Sequence, residues 1–469
     1  MALLARVRVR PNPSRCFRHL LSSTADGVAL DEATRIELWS WGKNEVGQLG
    51  LGDEETRRSP ALVTSMSLDH SAVPATVPVT STATSFLSVE NTGDLGFNAK
   101  NDKRVEASGR STHSAQVEVN DKAGIACGLF HSCMWMDGKV WLWGKGGGGR
   151  LGLGSEQSRY SPTLLSSLTD VKSVALGGLH SVAVTHGGSV YTWGFGGFGA
   201  LGHGSYTKEL SPRKLTGQEW VDDVIHIAAG GSHTAAITSS GDLYTWGRDE
   251  GDGRLGHGST VQTDEGVLST PGKVRELNVR VAAVACGGFC TMALTPEGQL
   301  WSWGGNSNYE LGRGDRKDDW RPKPIPSLEK THIIQVSCGG YHAAALTADG
   351  KVLTWGHGGH GQLGHEGLES AREPAIVESL ADRRVVSIAC GGAWTAAVTE
   401  RGELYTWGKN RDNQLGIPGL SDAQMNPALV EFDHNLTDDM SSGDSHLKKA
   451  QVVGVCAGAT HGLCLAYGT

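Results

Sequence analysis

The sequence predicts an all-β fold: a seven-bladed β-propeller of four-stranded blades, its ring closed by pairing of the N- and C-terminal strands. Three observations predict it. Trp-Gly recurs at Trp41, Trp143, Trp193, Trp246, Trp303, Trp355 and Trp407, the last five intervals being 50, 53, 57, 52 and 52 residues. Gly-Gly-x-His or a relative recurs equally often, at 128–131, 177–180, 230–233, 287–290, 339–342, 391–394 and 458–461. Finally, the first Trp-Gly has no Gly-Gly-x-His before it, and the last Gly-Gly-x-His has no Trp-Gly after it. Units of about fifty residues built from short strands are those of propeller blades. An open array would leave both half units as exposed sheet edges, whereas a ring joins them into one blade.

Each element of the unit follows from residues 336–364. Residues 336–346 are small or apolar, with the length of one strand and no helix-capping signal. Asp349-Gly350 supplies a two-residue hairpin turn. The chain then alternates, with Leu353 and Trp355 on one face and Thr354 on the other, before glycines 356, 358, 359, 361 and 364 exclude a helix. Elsewhere the residue two before each tryptophan is Trp39, Trp141, Tyr191, Tyr244, Trp301 or Tyr405. Ser40, Thr192, Thr245, Ser302 and Thr406 stand between, with Leu142 the exception. This reads as a strand with one face committed to a core. Pro60, Pro162, Pro212, Pro322, Pro374 and Pro427 mark an outer edge strand, where a missing N–H is not needed.

These repeats resemble those of the regulator of chromosome condensation family. Cys338-Gly339-Gly340, Tyr405-Thr406-Trp407-Gly408 and Gly361-Gln362-Leu363-Gly364 carry the resemblance, which spans residues 34–466 less two insertions. It implies a propeller at 34–469, resembling the plant mitochondrial members, and says much less about function, since one scaffold hosts many roles.

Residues 1–30 stand outside the propeller. Arg6, Arg8, Arg10, Arg15 and Arg18 precede the first acidic residue, Asp26, and no apolar core of secretory length is present. That composition is a mitochondrial transit peptide's, with Arg15-Cys16-Phe17 resembling a processing site; a basic tail or nuclear signal is the alternative. Residues 64–114 are rich in Ser, Thr and Asn without periodicity. They are expected to form a disordered insertion, either a partner-binding arm or retained intron sequence. Residues 431–450 read as a smaller loop insertion.

Composition narrows the chemistry. Glycine supplies 66 of 469 residues, as tight corners require. The net charge of −8 gives no sign of a body built to bind a polyanion. Nine cysteines show no zinc-type pairing. Cys127, Cys286, Cys338 and Cys390 share a repeat position with Leu176, Ala229 and Ala457, which makes it a packing site in a reducing compartment. No apolar run approaches membrane-spanning length, so no membrane insertion is expected.

No catalytic, cofactor-binding or metal site emerges. Gly194-Phe195-Gly196-Gly197-Phe198-Gly199 matches a dinucleotide fingerprint, but no helix pattern follows to receive a pyrophosphate. His131, His180, His233, His342 and His461 recur at one site that Cys290 and Trp394 also occupy, which speaks for half-buried structural histidines rather than metal ligands. His203, His257 and His365 read as turn residues, and Asp222-Asp223 and Asp318-Asp319 as solvated charge.

Three functions remain. The resemblance implies a mitochondrial, matrix adaptor supporting organellar gene expression, through RNA processing or ribosome assembly, with partners docked on rim loops. The acidic body makes any RNA contact local or indirect. The second is guanine-nucleotide exchange on a small GTPase, as for the family's founding member, with a nuclear or cytoplasmic location. The third is ultraviolet-B perception, known for a plant relative with Gly-Trp-Arg-His-Thr motifs. Here the corresponding sites read Gly-Gly-Tyr-His-Ala, Gly-Gly-Ser-His-Thr and Gly-Gly-Ala-Trp-Thr, without that tryptophan and arginine.

Overall fold

Strands Ile333–Cys338, His342–Thr347, Val352–Gly356 and Ala371–Ile376 pair in sequence order into one antiparallel sheet. The first lies innermost and the proline-bearing one outermost. In this computed structural model, which describes residues 35–67, 123–217, 220, 223–249, 251–258, 266–432 and 450–467, that sheet is one of seven four-stranded sheets, six of which pair in sequence order. No α-helix occurs among the described residues.

The hairpin differs from expectation by one residue. Thr347 N donates to Lys351 O at 3.0 Å and Gly350 N to Thr347 O at 2.9 Å, so the loop has three residues, Ala348 to Gly350. Gly350 has φ +87°, the left-handed residue that such a loop needs after its tight turn.

The one-faced strand is corrected too. Ser40, Thr192, Thr245, Ser302, Thr354 and Thr406 are as buried as the tryptophans beside them, because each blade is covered by a neighbour on both sides. A buried hydroxyl needs a partner. Thr354 Oγ1 donates to Leu363 O at 2.6 Å and Thr406 Oγ1 to Leu415 O at 2.7 Å, pinning the Leu-Gly corner to its own blade. The corner's glycine serves the next blade: a Cβ on Gly312, at φ +67°, would meet Trp355 Nε1 at 2.8 Å. The core therefore lies between blades. One cluster runs from Met292 and Leu311 through Ala343 and Ala345 to Trp355, and alanines let the sheets approach.

Closure joins the chain's two ends. Strands Arg35–Gly42 and Arg57–Ser67 share a sheet with Gln451–Ala457 and His461–Tyr467. Trp39 pairs with Cys464, Ser40 with Leu463 and Trp41 with Gly462. The strand Arg57–Ser67 takes in Thr64 to Ser67, so these four residues of the expected insertion at 64–114 belong to the propeller instead. The rest of that insertion, the expected transit peptide at 1–30 and residues 433–449 of the smaller insertion lie outside the described residues.

Candidate functional site

The recurring histidines form a belt between blades. His131 Nε2 lies 3.1 Å from Ser181 Oγ, His180 Nε2 2.9 Å from Thr234 Oγ1, and His233 Nε2 3.0 Å from Thr291 Oγ1. His342 Nε2 lies 3.0 Å from Thr395 Oγ1, and His461 Nε2 2.9 Å from Ser132 Oγ. The partner is always the residue after the equivalent position of the next blade. All five rings are fully buried, not half-buried as expected.

Each hydroxyl passes the bond on to the preceding corner. Ser181 Oγ donates to Arg150 O at 2.8 Å, and Trp193 Nε1 donates to the same carbonyl at 3.0 Å. Ser132 and Trp143 share Gln48 O, and Thr234 and Trp246 share Ala200 O. Trp355 Nε1 reaches Glu310 O and Trp41 Nε1 reaches Gln414 O, both at 2.8 Å. Both motifs are therefore inter-blade fasteners. Where the belt departs from pattern, the partner position departs as well: for Cys290 it is Ala343, in the same apolar cluster, and for Trp394 it is Gly462, where a Cβ would meet Trp41 at 2.4 Å and Trp394 at 3.0 Å.

His203, His257 and His365, expected only to turn the chain, reach back to Thr192, Thr245 and Thr354 Oγ1 at 2.8–2.9 Å. The glycine run at 194–199 folds into turns, with Gly199 N donating to Gly196 O, and no helix follows. All eight cysteines among the described residues are buried free thiols. Among those residues, no group of three or more His, Cys, Asp or Glu is placed to hold a metal ion.

The site the motif search missed is the end of the propeller where both motifs surface. In every blade the residue after Trp-Gly donates its N–H to the carbonyl of the residue just before the histidine site. These pairs are Lys43–Thr460, Lys145–Phe130, Phe195–Leu179, Arg248–Ser232, Gly305–Phe289, His357–Tyr341 and Lys409–Ala393, all at 2.9–3.0 Å. One axial face thus carries fourteen equivalent positions. Four are Lys or Arg, four are Phe or Tyr, one is His, and none is acidic, in a chain with 50 Asp and Glu against 42 Lys and Arg. Phe289 and Tyr341 stack at 5.2 Å between centroids and 23° between planes, with Tyr341 46% exposed. His357 continues the arc at 6.5 Å and His360 at a further 5.8 Å. Lys145 stands 5.3 Å over Phe130, Arg248 4.8 Å over Phe198, and Arg254, paired with Asp252, 5.0 Å over Phe289. Lys43 and Lys409, from adjacent blades, approach the same carboxylate, Asp412, at 3.5 and 3.7 Å. At the axis the glycines of all seven blades line a cavity of about 90 Å³. The sequence signal was present as Trp-Gly-Lys at 41–43, 143–145 and 407–409 and as Trp-Gly-Arg at 246–248.

The sequence profile of the RCC1-like domain matches residues 196–468, and that of the regulator of chromosome condensation (RCC1) repeat matches 37–76 and 137–184. The chain belongs to the RCC1-like propeller family. Within this family it is 48% identical over 446 residues to the Arabidopsis thaliana RCC1 domain-containing protein RUG3, mitochondrial, covering 94% of this chain and 91% of that one. It is 31% identical to the Ultraviolet-B receptor UVR8 of Arabidopsis thaliana, over 88% of this chain and 81% of the receptor. Among solved structures, Saccharomyces cerevisiae Prp20p, described with its binding to Gsp1p and histones, superposes with a TM-score of 0.68 at 18% identity, covering 93% of this chain and 92% of that one. The RCC1-like fold here is a rigid wheel with one cationic and aromatic axial face.

Proposed function

We propose that this RCC1-like propeller is a non-enzymatic mitochondrial adaptor that supports organellar gene expression, in RNA processing or ribosome assembly. The observation that carries this reading is the near-full-length similarity to a mitochondrial RCC1 domain protein. The arginine-rich, acid-free N-terminus supports the same compartment. A ring fastened blade to blade by buried hydrogen bonds suits docking rather than chemistry, because it holds rim and axial loops in fixed relation. Residues 1–30 fused to a fluorescent reporter test the location: matrix import is expected, and accumulation in the nucleus overturns it. Recovery of the tagged chain with organellar ribonucleoprotein is the companion measurement. Exchange on a small GTPase, the second reading, rests on fold alone; accelerated release of labelled GDP from a matrix GTPase would replace the adaptor reading. A photoreceptor would need clustered tryptophans with cations beside them. The fourteen ring positions of the axial face hold no tryptophan, and Trp41, Trp143, Trp193, Trp246, Trp303, Trp355 and Trp407 are buried between blades.

A further inference from the structure

We propose that the axial ring binds single-stranded RNA, its lysines and arginine pairing with phosphates and its aromatic side chains, Tyr341 the most exposed of them, stacking unpaired bases. This deepens, and rests on, the reading of the chain as an organellar gene-expression adaptor. Two independent features of the ring converge. First, its charge opposes that of the whole molecule. Lys409, Lys43 and Lys145 come from three successive blades and Arg248 from a fourth, while none of the fourteen ring positions is acidic. Lys43 pairs with Glu45 at 3.0 Å as well as with Asp412, which Lys409 also approaches, so a phosphate reaching these two ammonium groups displaces two carboxylates. Ion pairs this accessible are weak and yield readily to a phosphate.

Second, flat side chains lie among these charges. Phe130, Phe289, Tyr341 and His357 sit at ring positions, and Tyr341 and the neighbouring Leu129 are among the most exposed apolar side chains of the described residues. Cations interleaved with rings are how sequence-tolerant single-strand binders follow a backbone and stack its bases. An acidic peptide would satisfy the cations and leave the rings unused. A duplex would hide its bases from them, which favours the unpaired strand. The central cavity, about 90 Å³, cannot pass a nucleotide chain, so the strand lies across the face rather than through the hole.

The test is fluorescence anisotropy with the full chain and three probes: a labelled mixed-sequence 20-nucleotide RNA, the same sequence as a duplex, and a labelled oligoglutamate peptide. The single strand should bind at least tenfold more tightly than the other two. Four phosphate contacts predict a loss of about fiftyfold in affinity between 50 and 200 mM salt. The quadruple variant K43Q/K145Q/R248Q/K409Q should lose most of that salt dependence. Tyr341→Ala should weaken binding about tenfold with the salt slope unchanged. The control K139Q/K172Q/K330Q/K351Q removes as many charges away from the ring and should bind as the parent does. Melting curves confirm that each variant is folded. Equal binding by the ring variant and its control, or tighter binding of the peptide, overturns the proposal. Absent RNA binding with import and ribonucleoprotein recovery intact overturns this inference alone. A reporter that enters the nucleus while RNA binding persists overturns the adaptor reading instead.

Discussion

His342 shows what a single repeat residue contributes. Its ring is fully buried against Thr395, and burial holds its pKa down to about 3; the same cause holds His180 to about 4. His131 and His233 are lowered as well, by burial and then by the charges of Arg150 and Arg254 respectively. A histidine neutral in the folded chain but protonated in the unfolded one stabilises the fold fully above the ordinary value of 6.5. That contribution is lost as pH falls toward the folded pKa. Each of His180 and His342 should therefore withdraw about 2 kcal/mol by pH 5. Denaturant melts between pH 7 and pH 4.5 should show stability falling, with a shallower slope in H342Q. Trp355, with Nε1 on Glu310 O and no exposed surface, should cost about 3–5 kcal/mol when cut to alanine. A loss below about 1 kcal/mol on that scale would contradict its packing. His342 and Thr395 are 53 positions apart, yet substituting both should be non-additive by roughly 0.5–3 kcal/mol, as for residues in contact. The Cys290–Ala343 and Trp394–Gly462 exceptions are the same coupling in the native chain. The sequence displayed Cys290 and Trp394 as departures. It could not display why they are tolerated, because the compensating residue sits in the next repeat.

At the scale of the strand, alternation of large and small residues located the third strand of every blade but misjudged its surroundings. Thr354 looks like a solvent-side residue in a one-faced sheet, and becomes a buried one once a second blade covers it. Hydrophobic patterning reports the preference of each side chain, and a hydroxyl paired to a nearby carbonyl can occupy either environment. The hairpin was visible through Asp349-Gly350, but its length was set by whether Ala348 or Asp349 begins the loop, which only the ladder decides. The closing blade gives the sharpest test. Ser40 is paired on both sides, to Leu463 and to Ala61. Proline there removes a ladder donor from a central strand. Ser40→Pro should leave the chain without a single cooperative transition, read by circular dichroism and size-exclusion chromatography. The same substitution at Pro-tolerant outer positions such as Ser161 should leave that transition in place.

At the scale of the whole molecule, the wheel is closed non-covalently by two strands from each end of the chain. Insertions after an outermost strand enter where no later strand must pair. Removing residues 68–114, while keeping the strand Arg57–Ser67, should therefore leave the melting transition single and its midpoint within a few degrees. Starting the deletion at residue 64 instead removes the partner of Leu38 and should lower it. The axial face belongs to this scale as well, since its cations and rings come from every blade. Its composition was written after each Trp-Gly, yet nothing in one repeat says that this residue and the one before the histidine site of the same blade end side by side.

The sequence by itself determined how many blades there are, what turns each one, and that its two ends complete each other. Those features are local: they arise from side-chain alternation, turn chemistry and repeat count within about fifty residues. Only the tertiary structure decided which side chains meet across blades, that the histidines are wholly buried, and that four cations share one face with stacked rings. The physical reason is distance along the chain: the inter-blade fasteners join residues 31 or more positions apart, and it is closure of the ring, rather than any neighbouring residue, that brings them together.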